Sequence, residues 1–245
     1  MEFFYHFGRY IYLMKNLFSK PESWVMYKRE IFRQMNDVGV GSLAIISIIS
    51  LFIGAVTTLQ IAYQLSEPLV PITIIGAIVG ETTILELAPT ISCLVLAGKI
   101  GSNMASEIAT MRVTEQVDAM EVMGVNVKSF LITPKVLGAF LMIPILVVIA
   151  GFLGVSGGVL AGASTDIITV DKFMLGAREF FKGYTLFIMV VKSFTNAFII
   201  ASISCYQGFY VRGGALEVGA SSTRAVVYSC ILILFADFLI SYLFL

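Results

Sequence analysis

The stretch VLGAFLMIPILVVIAGFLGVSGGVLAGA, residues 136–163, runs for 28 positions without an ionisable side chain. A bilayer's hydrocarbon core takes about 20 apolar residues of helix to cross, so this stretch reads as a transmembrane helix. Working outward, four more segments meet the same criterion: 38–65, 72–96, 184–209 and 225–245. The composition agrees. Of 245 residues 58% are hydrophobic and 13% charged, and the mean hydropathy is +0.92. An ordinary globular domain is about 25% charged, and this chain lacks the polar residues to cover a soluble surface of its size. The expected fold is an all-α integral membrane protein with five transmembrane helices, a single domain over 1–245.

The joints between spans are short. Ser66-Glu67-Pro68-Leu69-Val70-Pro71 carries two prolines and stops a helix, and Arg212-Gly213-Gly214 breaks the chain before the last span. Residues 1–37 form a separate preface, expected as interfacial helices. Phe3, Phe7, Tyr10, Met14 and Leu17 repeat at helical spacing, and Trp24, Tyr27, Ile31 and Met35 do so again among Lys28, Arg29 and Arg33. No basic start, compact apolar run and small-residue cleavage site occur together, so a cleavable signal is not expected. Basic residues then set the orientation. Six fall in the first 37 positions, four between Lys99 and Lys135, and Arg212 and Arg224 before the last span, against Lys172, Arg178 and Lys182 on the other side. The N-terminus is expected inside and the C-terminus outside.

Several functions are excluded or disfavoured early. Lys plus Arg equals Asp plus Glu at 16 each, which gives no basic surface for nucleic acid. Cys93, Cys205 and Cys230 are widely spaced, and His6 is the one histidine, so neither a disulfide framework nor a His-based metal site is indicated. His6 itself reads as an interfacial residue. No GxxxxGK[ST] loop is present, so energy has to come from a partner or an ion gradient. Gly154, Gly158 and Gly162, with Gly76 and Gly80 on the second span, indicate close helix packing, read as intramolecular.

Two features point to activity. Glu81 and Glu86 on the second span, Lys192 on the fourth and Asp237 on the fifth are ionisable groups within apolar helices. Each costs about 2.5–3.5 kcal/mol to insert unless it meets a partner or a cavity. At 1.5 Å per residue, Lys192, Asp237 and Glu81 come to about the same depth, about 12 Å from the outer surface, with Glu86 deeper. Lys192 is therefore expected to pair with Asp237, or failing that with Glu81. Pro89 frees the carbonyl of Leu85, which predicts a kinked second span. The other feature is an amphipathic helix at about 102–124 between the second and third spans. It carries Glu107, Glu115, Asp118 and Glu121 against Arg112 alone, a net charge of minus three. Glu107, Thr114, Asp118 and Glu121 share a polar face bordered by Met104 and Met111. An acidic face suits a negative leaflet poorly and a cytoplasmic protein well, and methionines suit an adaptable groove contact.

Glu86-Leu-Ala-Pro-Thr, Leu96-Ala-Gly-Lys-Ile-Gly and Ser106-Glu-Ile-Ala-Thr-Met-Arg-Val-Thr-Glu-Gln-Val-Asp-Ala-Met, continuing through Met123-Gly124-Val125-Asn126 to Pro134, closely resemble the MlaE (YrbE) family of ABC-transporter permeases. The resemblance returns at Val191-Lys192-Ser193-Phe194, Cys205-Tyr206-Gln207-Gly208, Ala220-Ser-Ser-Thr-Arg-Ala-Val-Val and Asp237-Phe238-Leu239, and covers about 200 residues in register. Ala88 stands where the family has glycine, and Lys99 where it often has arginine.

That resemblance implies a homodimer in the bacterial inner membrane, N-terminus cytoplasmic and C-terminus periplasmic. It implies a cytoplasmic ABC ATPase that binds ATP and Mg in place of any cofactor in this chain, a periplasmic MCE-domain protein, and a small STAS-domain protein as a further subunit. The implied cargo is phospholipid moving between inner and outer membranes. Segment 102–124 becomes a coupling helix, with Glu107, Met111, Arg112, Glu115, Asp118 and Glu121 against the ATPase. Glu86, Lys192 and Asp237 correspond to charged positions of the family's membrane region, whereas Glu81 has no usual counterpart. The alternative is a gradient-driven carrier of a hydrophobic substrate using the intramembrane carboxylates. Such folds often show two matching halves, and no internal repeat is found here. A structural subunit leaves the acidic segment and the buried charges without a purpose.

Overall fold

A computed structural model of the chain describes residues 2–16, 24–65, 71–179 and 181–244. The expected Ser66–Val70 part of the proline turn and position Leu17 of the first stripe lie outside the described residues. Among those described the protein is helical throughout, without a strand. The helices are α1 (Glu2–Asn16), α2 (Trp24–Gln64), α3 (Thr73–Val113), α4 (Gln116–Val122), α5 (Val127–Ser164), α6 (Val170–Glu179), α7 (Gly183–Phe209) and α8 (Ala215–Phe244). Five of these, α2, α3, α5, α7 and α8, are long and apolar enough to cross a membrane.

Two helix boundaries differ from expectation. Residues 24–37 do not make a second interfacial helix: they are the first turns of α2, 41 residues or about 60 Å long. Their Trp24/Tyr27/Ile31/Met35 repeat is compatible with the same helical period as the span, so periodicity alone does not mark an end. The second span runs on past Leu96 to Val113, so residues 102–113 belong to it rather than to a separate coupling helix. That segment breaks where Glu115 takes a left-handed conformation (φ 59°), after which α4 adds seven residues and Gly124 (φ 81°) turns the chain into α5. By their internal packing the residues fall into two compact units. One comprises Met1–Gly41, Leu96–Met142 and Asn196–Leu234; the other Ser42–Val95, Ile143–Thr195 and Phe235–Leu245.

The glycines explain how the second unit packs. A Cβ on Gly54 of α2 would run into the carbonyl oxygen of Gly154 on α5, and one on Gly157 into that of Leu51. Gly158 lies against Thr58, Val79 and Phe173, and Gly76 and Gly176 bring the backbones of α3 and α6 into contact. Around them Ala62, Ile75, Val79, Ile168 and Phe173 form a buried apolar cluster. The glycine stripes are thus used within the chain. Gly54→Ala is expected to destabilise the solubilised protein by about 2 kcal/mol, because backbone cannot yield to the added methyl. Gly41→Ala, with nothing within 4 Å of the added carbon, is the control and should not lower Tm.

In the first unit α1 turns polar side chains toward α7. The His6 ring hydrogen-bonds the Tyr206 hydroxyl at 2.8 Å, and Tyr10 donates to Ser202 at 2.9 Å. Burial pushes the Tyr10 phenol above its ordinary pKa, which keeps it a neutral donor. Phe4, Phe7 and Ile11 face outward.

Candidate functional site

Pro89 has no N–H to offer the Leu85 carbonyl, and the helix around it is not α-helical. From Thr83 to Ile91, α3 winds as a π-helix, with a second π-helical stretch at Ala97–Gly101. Stretches of this kind widen the turn, and they concentrate at functional sites. Here the widened turn carries Glu86, and the fourth span answers it. Lys192 Nζ lies 2.8 Å from Glu86 Oε1 and donates to the Leu85 carbonyl at 3.1 Å. One ammonium thus neutralises the carboxylate and gives the Leu85 carbonyl a side-chain donor where Pro89 withholds the α-helical N–H. Ser241 of α8 donates to the same Glu86 oxygen at 3.1 Å.

The expected pairing of Lys192 with Asp237 or Glu81 is therefore corrected: its ion-pair partner is Glu86. The depth count compares backbone levels, whereas the four-carbon stem of a lysine carries its ammonium well away from the level of its own Cα. Asp237, 5% exposed, instead accepts a hydrogen bond from Thr90 at 2.7 Å. Glu81 sits apart from both. It lines a cavity of about 220 Å³ with Ile84, Arg178, Phe181, Lys182 and Thr185. That places it beside the first turn of α7, where Thr185 stands seven residues before Lys192.

Lys192 is fully buried, while the Glu86 side chain is 42% exposed. The pair has a closed side and an open one, so the carboxylate faces the exterior of the single chain with its charge already compensated. Reasoning from sequence missed Thr90 and Ser241. Ser241 lies one helical turn beyond Asp237 and Thr90 one turn beyond Glu86, the spacing that puts a hydroxyl beside a carboxylate. Thr90→Val should cost about 1.5 kcal/mol, the low end for a hydrogen bond to a charged group, since Asp237 has a further interaction. Chemical denaturation in detergent measures it.

The acidic segment divides in two. Glu107 does not stand with the others: it bonds Lys135 of α5 at 2.5 Å, and that lysine is buried. Arg112 and Asp118 pair at 2.6 Å across the break between α3 and α4. Met111 is half-buried. Glu115 and Glu121 are exposed, and Val122 and Met123 beside them are 89% and 71% exposed. The outward surface is therefore a short loop-and-helix knob, 114–124, acidic with an apolar tip. The apolar tip was not anticipated, although Val122-Met123-Gly124 is legible as an apolar pair before a turn.

Comparison with known proteins agrees with this architecture. The family sequence model described as "Permease MlaE" matches residues 31–243. A probable ABC transporter permease protein of Synechocystis sp. is 37% identical over 216 residues, 88% of this chain and 82% of that one. One from Rickettsia prowazekii is 36% identical over 219 residues, 89% and 84% of the two chains. The chloroplastic protein Trigalactosyldiacylglycerol 1 of Arabidopsis thaliana is 32% identical over 216 residues, 88% of this chain and 61% of its own length.

Proposed function

The chain belongs to the MlaE permease family, and from that premise we propose that it is the membrane subunit of a lipid-transporting ABC system. Its cargo is phospholipid, carried between the inner and outer membranes while a separate cytoplasmic ATPase hydrolyses ATP. The observation that carries the reading is the Glu86–Lys192 pair on a π-helical stretch of a membrane-length helix. Supporting the lipid cargo, one relative bears the name of a galactosylated diacylglycerol.

α3 holds both ends of the mechanism. The acidic knob follows its last turn, and Glu86 sits in its first π-helical stretch. Docking of the knob in a cleft of the ATPase lets nucleotide-driven closure push on Val113. An unbroken helix passes that push along its axis. The π-helical stretches at Ala97–Gly101 and Thr83–Ile91 are where the helix is already wound off the α register. There a small change of winding turns Glu86 relative to its neighbours. The Glu86–Lys192 pair then serves as a latch: closed, it neutralises both charges; loosened, it offers a carboxylate and an ammonium to the two charges of a zwitterionic headgroup.

On this reading the chain works as a homodimer in the bacterial inner membrane, with its N-terminus cytoplasmic and its C-terminus periplasmic. Its partners are the ATPase, a periplasmic MCE-domain protein and a small STAS-domain protein. Purification from native membranes tests the reading. A P-loop ATPase in equal amount, with phospholipid in the extract, supports it; a chain that purifies alone and without lipid overturns it.

A further inference from the structure

A second cavity, in the first unit, is larger and of different chemistry. It measures about 660 Å³, within the usual range of small-molecule sites. α1, the end of α7, the Arg212 turn and the start of α8 build it. Three arginines line it, Arg9, Arg212 and Arg224, against one acid, Glu217. Their states differ. Arg224 is paired with Glu217 at 3.2 Å. Arg9 lies over the Tyr210 ring, 3.8 Å from its centroid, with no acid partner among the described residues. Arg212 is exposed and has neither an ion pair nor a hydrogen bond among the described residues. The cleft therefore holds more positive charge than its own residues neutralise, with tyrosines that both donate hydrogen bonds and cover apolar surface.

The geometry points to this cleft as a binding site for the phosphodiester of an anionic phospholipid, drawn from the leaflet beside α1. Guanidinium groups match phosphate oxygens, and basic pockets between membrane helices bind headgroups at the inner face. The tail has somewhere to lie: Phe4 and Ile11 of α1 and Val227 and Ile231 of α8 are exposed apolar side chains on the same two helices. A free phosphate has no use for that surface, which is why the lipid is favoured over a soluble anion. The site would hold whatever the transported cargo is, and it rests on the inside placement of the N-terminus. Its consequence is that anionic lipid fastens α1 to α7 and α8.

Native mass spectrometry tests it, on the full chain with its copurifying subunits, released from vesicles of equal phosphatidylglycerol and phosphatidylcholine. Wild type should retain phosphatidylglycerol in preference. Arg212→Gln should reduce that preference about fivefold, the worth of one basic group at a membrane surface. Glu217→Gln frees Arg224 and should increase it, an effect in the direction that misfolding does not produce. Preference unchanged in both variants overturns the proposal. So does displacement of the lipid by soluble glycerol phosphate, which would make the site one for a free anion. Loss of the ATPase from Arg212→Gln with lipid retained would also overturn it and assign this face to a protein.

Discussion

Lys192→Met is expected to abolish transport and to lower the stability of the solubilised chain by about 3 kcal/mol. Breaking a buried ion pair by removing one partner costs about 3–5 kcal/mol, because the other charge is left uncompensated. The low end applies since the Glu86 side chain is 42% exposed rather than enclosed with its partner. The lysine has a second duty, the Leu85 carbonyl, which no substitute but arginine would reach. Adding Glu86→Gln to Lys192→Met should restore most of the stability, because the stranded carboxylate is gone. It should not restore transport. That separation of the two readouts distinguishes a latch from a packing element. Transport surviving Lys192→Met at near wild-type rate would remove the pair from the mechanism.

The second large effect is expected at the acidic knob. Glu115→Lys with Asp118→Lys should reduce ATPase association at least a hundredfold, measured by pull-down of the partner from solubilised membranes. Both side chains are exposed, and the Arg112–Asp118 pair that the variant breaks is a surface pair worth about 1 kcal/mol at most. Reversing two charges changes the local balance by four, and like charges facing across an interface cost several kcal/mol. Val122 and Met123 beside them are exposed apolar side chains that the double reversal leaves in place. Glu107→Gln is the contrast. Its carboxylate serves buried Lys135, so that variant should lower Tm while the ATPase stays bound. Retained association in the double reversal would place docking elsewhere on the chain.

Much of this was written plainly in the sequence. Five long apolar stretches are five helices because a bilayer's thickness sets their length, whatever they pack against. The family motifs around Glu86 and Ser106–Met120 are dense enough to be read directly. Pro89 withholds the α-helical donor from the Leu85 carbonyl, and the structure supplies a lysine as a side-chain donor there. What was not legible follows from the same physics. Which acid Lys192 meets depends on where its long stem carries the ammonium, and a count of backbone depth does not encode that. The end of α3 was obscured because amphipathic spacing continues from Ser102 through Met120 while the backbone breaks at Glu115. A left-handed glutamate carries no sequence mark of the kind glycine gives at Gly124. Lys135, counted for orientation alone, was the partner of Glu107 through a contact 28 residues away, beyond any local pattern.

The central claim is that ATP hydrolysed by a separate subunit drives lipid through this chain. Its most direct test is reconstitution of the purified complex into liposomes holding labelled phospholipid, with a lipid acceptor outside. Transfer that requires ATP and stops in Lys192→Met is the result the account predicts. Transfer by the chain alone, driven by a proton gradient and indifferent to ATP, would contradict it and make the protein a carrier.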